Sequence, residues 1–201
     1  MMNKRGVVQF VAIGAAVLLL GFVVWAVGTY NGLVVRNENV GRAWSAVESQ
    51  YQRRLDLVPN LVETVKGSSK FEKDKLQAVV EARSRATSVT VDKGVLNDPD
   101  AFKKFEQAQA GLSSALSRLM VVVEKYPDIK STEAYRDLTV QLEGTENRIQ
   151  VARKDFNEAA QDYNVAIKVF PASAIAGFGG FKERPYFQAA AGAAQAPAVK
   201  F

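Results

Sequence analysis

Residues 131–170, STEAYRDLTVQLEGTENRIQVARKDFNEAAQDYNVAIKVF, decide the fold. Tyr135, Leu138, Leu142, Thr145, Ile149, Ala152, Phe156, Ala159, Tyr163, Ala166 and Phe170 recur at alternating spacings of three and four for five heptads. That is the period of an apolar seam on a helix packed against other helices. Within the run Gly144 is the one glycine, and no proline intervenes before Pro171. Ser131 or Thr132 is placed to cap the start, with Glu133 in the first turn where it complements the helix dipole. About forty residues at 1.5 Å each make a rod of roughly 60 Å, longer than a simple monomer needs.

The same spacing runs backwards through the chain. Phe102, Phe105, Gln109, Leu112, Leu116, Leu119, Val123 and Tyr126 form a second seam in which Gln109 is the one polar member. Asn97 or Asp98 is its cap, Pro99 lies in its first turn, and Pro127 ends it. Leu33, Val40, Trp44, Val47 and Tyr51 predict an earlier helix ending near Arg54. Asp56 and Pro59 predict a restart there, with Leu57, Leu61, Val65, Leu76, Val79 and Ala86 facing inward and a weak point at residues 67–69. Residues 87–99 read as the longest irregular connection. Four helices joined this way predict an all-α fold, an antiparallel four-helix bundle over residues 29–170 with a very long last helix. An even helix count brings Phe170 back to the end where the chain entered.

Ahead of the bundle, after a short flank of residues 1–5, stands GVVQFVAIGAAVLLLGFVVWAVG, residues 6–28, with no charged side chain. As a helix it covers roughly 35 Å, enough to cross a hydrocarbon core of about 30 Å. Ala26-Val27-Gly28 resembles a signal-peptidase site, but the apolar run outlasts the 7–15 residues typical of a signal peptide, so it reads as an uncleaved anchor. Gly14, Gly21 and Gly28 recur every seven residues, a stripe suited to close helix packing in lipid. Trp25 and Tyr30 sit where an aromatic belt marks the membrane interface. Lys4 and Arg5 favour an inside N-terminus by the charge rule.

Behind the bundle, residues 171–187, PASAIAGFGGFKERPYF, are too short to span. Phe178, Phe181, Tyr186 and Phe187, beside Lys182 and Arg184, are expected either at the bilayer surface or folded back over the open end of the bundle. GFGGFK lacks the spacing and the Ser/Thr of a phosphate loop. Residues 188–201 read as a flexible Ala-rich tail.

Composition excludes much chemistry. The chain has no cysteine and no histidine, so disulfides, thiolate nucleophiles, most zinc sites and histidine acid-base pairs are absent. Its net charge of +5 comes from 26 basic and 21 acidic residues that are interspersed, without the basic face that binds nucleic acid. Polar residues gather instead near two helices: Arg53, Arg54, Asp56 and Asn60 at the first junction, and Glu143, Glu146, Asn147, Arg148, Arg153 and Asn157 along the last helix. A stripe of these facing another helix is expected to form a network that fixes register.

Several of these pieces together resemble the LemA family: Asn39-Val40-Gly41-Arg42-Ala43-Trp44, residues 52–62 (QRRLDLVPNLV), Tyr126-Pro127, residues 142–149 (LEGTENRI), Ala152-Arg153, Phe156-Asn157, Tyr163-Asn164, Phe170-Pro171, Gly180-Phe181 and Tyr186-Phe187. They occur in family order from about residue 30 to 187. The resemblance implies a single-pass bacterial membrane protein carrying an antiparallel helical bundle, in a family to which no enzymatic activity is securely attached, and the residues themselves suggest no cofactor and no metal. It also implies a short N-terminus outside and a cytoplasmic bundle, opposite to the charge rule, and topology stays open between the two. Where relatives often carry Tyr and His, this chain has Ser68 and Phe71, which removes histidine chemistry at that position. The expected function is a non-enzymatic, self-associating membrane scaffold whose partners are further copies of itself and the lipid bilayer. The alternative is an adaptor or sensory module for another envelope protein.

Overall fold

A computed structural model describes residues 4–67, 73–89 and 93–188. Ser68, Phe71 and the tail beyond Gln188 lie outside these described residues. The elements are α1 (Lys4–Lys66), α2 (Lys73–Ser88), a 3-10 turn (Lys93–Asn97), α3 (Pro99–Val123), the single turn α4 (Pro127–Lys130), α5 (Glu133–Lys168) and α6 (Ala172–Phe178), and no strand occurs among them. The caps expected for the later two helices form, while Asp56 caps no helix start. Asp98 accepts from the N–H groups of Asp100 and Ala101 at 2.9 and 3.1 Å, and Thr132 from the N–H of Tyr135 at 3.3 Å.

The expected break between Arg54 and Pro59 does not occur: α1 is one helix of 63 residues with Pro59 inside it. A proline in a helix interior has no N–H to give the carbonyl four residues back, here that of Leu55. The Nε of Arg83, on α2, donates to that carbonyl oxygen at 3.0 Å. The bond lost within the helix is replaced from outside it, so the helix continues. The chain leaves α1 at Gly67 instead, making α1 longer and α2 shorter than the periodicity indicates. Arg83→Ala is therefore expected to cost about 1–2 kcal/mol, the penalty of an orphaned buried carbonyl, and much less in a Pro59→Ala background where an N–H is restored. Urea unfolding of the four proteins in this double-mutant cycle checks it; equal costs in both backgrounds would refute the pairing.

Side chains from all the long helices bury two apolar clusters. One holds Trp44, Val47, Phe102, Phe105, Ile149, Phe156 and Tyr163 among others. The other holds Leu55, Val58, Leu61, Leu76, Val79, Leu112, Leu116, Leu119 and Leu142. Along α5 the buried positions follow the expected seam to Phe156 and then drift to Ala160, Tyr163, Asn164 and Ile167. Ala159 and Ala166 are only partly covered and Phe170 is exposed. A helix with 3.6 residues per turn falls behind a strict heptad by about 20° per repeat, and over five repeats that moves the last seam positions outward. Three pairs trace the course of α1 beside α5: Arg36 with Asp162, Trp44 with Phe156, and Arg54 with Glu146.

The N-terminal part of α1 is the one helix among the described residues long and apolar enough to cross a membrane, and its apolar window is wholly unburied within the chain.

Candidate functional site

Between the two apolar clusters lies a layer of polar side chains. On α1 it falls between Tyr51 and Leu55, on α3 between Phe105 and Leu112, and on α5 between Leu142 and Ile149. Its centre is Arg54, 1% exposed. Arg54 Nη2 donates to Gln109 Oε1 at 2.6 Å and to the Gln109 carbonyl oxygen at 3.2 Å. Its Nη1 donates to Ser113 Oγ at 2.6 Å and to Glu146 Oε2 at 3.0 Å. The guanidinium carbon stands 5.0 Å from the Tyr51 ring centre. Thr145 is also buried at this level, its hydroxyl donating to the Gln141 carbonyl at 2.7 Å.

Such a layer is costly unless complete, because a guanidinium removed from water must be compensated by a counter-charge and filled hydrogen bonds. Glu146 supplies the charge from the rim, where 42% of its side chain meets solvent. Burial pushes the Tyr51 phenol above its ordinary range, with Arg153 and Arg54 pulling partly the other way. Burial likewise raises the Glu106 carboxyl, an effect opposed by the Gln188 N–H and by Arg153. The layer opens on a cavity of about 220 Å³ lined by Tyr51, Arg54, Glu106, Gln109, Glu146 and Arg153. Among the described residues no group of acidic, histidine or cysteine side chains is placed to hold a metal ion.

The second polar array ties the C-terminal segment down. After α6 the chain runs extended from Phe181 to Gln188 along α5. Asn164 Nδ2 donates to the Arg184 carbonyl and its Oδ1 accepts from the Arg184 N–H, both at 2.8 Å. Asn157 makes the same pair with Phe187, at 3.1 and 2.9 Å. Seven helical residues rise about 10.5 Å and three extended residues about 10 Å, so one heptad of α5 matches three residues of strap. Arg153 then donates to the Gln188 carbonyl at 3.0 Å, and the Gln188 N–H to Glu106 at 3.1 Å. The Arg184 side chain turns inward to Asn97, to the Leu96 carbonyl at 3.3 Å and to Asn37 at 2.7 Å.

Of the expected polar residues, Arg54 and Glu146 meet in the central layer, while Arg153 and Asn157 hold the strap. Arg53, Asp56, Asn60, Glu143, Asn147 and Arg148 do not join them. These six are exposed, Asp56 accepting only from Gln52 at 2.8 Å within α1. Each helical residue is turned by about 100° from the next, so a position one or two places off the seam points to solvent. Gln109 was visible as the polar member of an apolar seam, whereas nothing local marks Ser113 or Arg184 as members.

The membrane-proximal set also divides. Phe187 is not at the surface: 6% exposed, it stands against Trp44, Phe102, Phe105 and Phe156 at centroid distances of 4.9–6.4 Å, with Arg153 over its ring. The Asn157 pair draws it in. Phe181 is half-buried 5.4 Å from the Tyr30 ring, Tyr186 is partly exposed, and Phe178 is wholly outside. Trp25 neighbours Phe22 at 5.7 Å. Around Gly14, Gly21 and Gly28 nothing in the chain lies within 4 Å of where a Cβ would stand.

These features define an all-helical protein with one long apolar N-terminal helix and a body closed by a C-terminal strap. The sequence pattern of the LemA family matches residues 43–201, and the chain belongs to that family. It is similar to magnetosome protein MamQ of Magnetospirillum gryphiswaldense, 32% identical over 199 residues that cover 91% of this chain and 73% of the relative. It is equally similar to magnetosome protein MamQ 2 of Paramagnetospirillum magneticum, 32% identical over 200 residues, 92% of this chain and 74% of the relative. Protein LemA of Metamycoplasma hominis is 24% identical over 172 residues, 85% of this chain and 74% of the relative.

Proposed function

We propose that this protein is a non-enzymatic, single-pass scaffold of the bacterial inner membrane, whose helical body self-associates into a large membrane-bound assembly. The body is read as an antiparallel four-helix bundle: rising numbers on α1 meet falling numbers on α5 at Arg36 and Asp162, Trp44 and Phe156, Arg54 and Glu146. The observation that carries the reading is the continuity of α1, which runs from the apolar segment into the core without a hinge. A body joined to its anchor by one rod holds a fixed direction relative to the bilayer, which a repeating array requires. Surfaces free for neighbours lie along that rod and beside it. The glycine stripe is open, and Val140, Val151 and Val165 are exposed at 67, 59 and 53% on one face of α5. That relatives are named as magnetosome proteins, after a body rather than a reaction, supports a structural role.

The test is particle mass in mild detergent by light scattering, with electron microscopy. Many-copy particles are expected, and Gly14→Leu, Gly21→Leu and Gly28→Leu combined should reduce their mass at least several-fold while membrane insertion is unchanged. A monomer or small dimer in the unaltered protein would overturn self-association, and one co-purifying envelope protein would favour the adaptor.

A further inference from the structure

We infer that the corner between α5 and α6 is a second membrane contact, in which Phe170 and Phe178 enter the lipid interface beside the point where α1 emerges. This rests on reading the N-terminal part of α1 as a membrane span. Phe170 is 83% and Phe178 95% exposed. Of the described phenylalanines outside the apolar part of α1, the rest are buried or half-buried, so the two that face outward are both at this one corner.

The corner's height is fixed by its neighbours. Ala166, Val169 and Ala172 face Trp25, Gly28 and Gly32 across an opening of about 510 Å³, and Phe181 packs edge-on to Tyr30. Trp25 and Tyr30 bracket the end of the apolar stretch, where amphipathic rings settle at a membrane surface. The corner is thus level with the interface itself, one helix away from the span.

The outward ring is built in by the turn that follows it. Gly180 has φ +70°, a left-handed conformation that favours glycine, and a Cβ on Gly179 would meet the Phe181 ring at 2.7 Å. The glycine pair lets the chain reverse so tightly that Phe181 points in while Phe178, three residues earlier, points out. Two of the nearby cations are engaged: Lys168 is paired with Glu183 at 2.7 Å and the Arg184 head is turned into the body, which leaves two exposed rings with one exposed lysine, Lys182, beside them.

A lipid partner is favoured over a second copy by this continuity with the span. The chain has no cysteine, so single thiols can be placed at will. Full-length Phe178→Cys, Leu18→Cys and Ser117→Cys, each carrying an environment-sensitive fluorophore, are reconstituted in phosphatidylcholine vesicles with nitroxides at shallow or deep positions on the lipid. The label at 178 should be quenched several-fold more than that at 117, mostly by the shallow nitroxide, while the label at 18 responds to the deep one. The result should be the same with phosphatidylglycerol added. A label at 178 that behaves like 117, while 18 is quenched, overturns the second contact and leaves the span standing. A blue-shifted but unquenched label at 178 assigns the corner to another copy and overturns the lipid. Quenching that needs phosphatidylglycerol replaces an apolar contact by a charged one and also overturns it. An unquenched label at 18 removes the span, and this inference with it.

Discussion

Arg54→Ala should lower the stability of the helical body by about 3–4 kcal/mol, more than any other single substitution of a charged residue in this chain. Three losses combine. The buried oxygen of Gln109, itself 2% exposed, loses its donor, at about 1–3 kcal/mol. Ser113 loses a partner at the layer's edge. The stem of a fully buried side chain leaves a cavity between the two apolar clusters. Glu146 is the smaller term, because water at the rim can solvate a side chain that is 42% exposed. Glu146→Gln should cost about 1–2 kcal/mol, less than Arg54→Ala, since the amide oxygen still accepts from Arg54 although the buried guanidinium loses its counter-charge at the rim. Arg54→Met should fall between, because it fills the cavity but strands Gln109. Urea unfolding followed by helix circular dichroism separates the three, and an Arg54→Ala cost no larger than that of Glu146→Gln would show that the layer does not stabilise the fold.

Phe187→Ala should cost about 3–4 kcal/mol, the usual penalty for emptying a large buried aromatic site, and release the strap. Phe187 joins four rings from three helices, Trp44, Phe102, Phe105 and Phe156, and the Asn157 amide pair fixes its backbone in place. Without the ring, the strap is left with hydrogen bonds that water can replace at about 1 kcal/mol each. Trypsin should then cut after Lys182, a site the following Glu183 leaves open, at least tenfold faster than in the unaltered protein. Asn157→Ala should show the same cleavage in weaker form, and Phe178→Ala, at 95% exposure, none. An unchanged rate for Phe187→Ala would mean that the amide ladder alone secures the segment.

The two experiments separate positions that sequence reasoning had grouped together. Phe178 and Phe187 belong to one aromatic run, yet among the described residues one is exposed at 95% and the other buried at 6%. Arg53 and Arg54 are neighbours, and one rotation of about 100° places the first in water and the second in the core. Local periodicity can show that a helix has an inner face, but not which neighbouring polar residue a distant partner will draw inward.

The sequence by itself determined the apolar seams of the helices, the places of two caps, at Asn97 or Asp98 and at Ser131 or Thr132, and the apolar N-terminal segment, because each depends on residues within a few turns of one another, and its ordered pieces along the chain determined the family. Tertiary structure alone decided three things. Pro59 stays inside α1 because Arg83, which replaces its missing bond, comes from another helix. Arg54 is held in the core because Gln109, Ser113 and Glu146 meet it from α3 and α5. The strap lies down because asparagines one heptad apart match three residues of extended chain, a coincidence of two rises that appears only when the helix and the segment lie side by side.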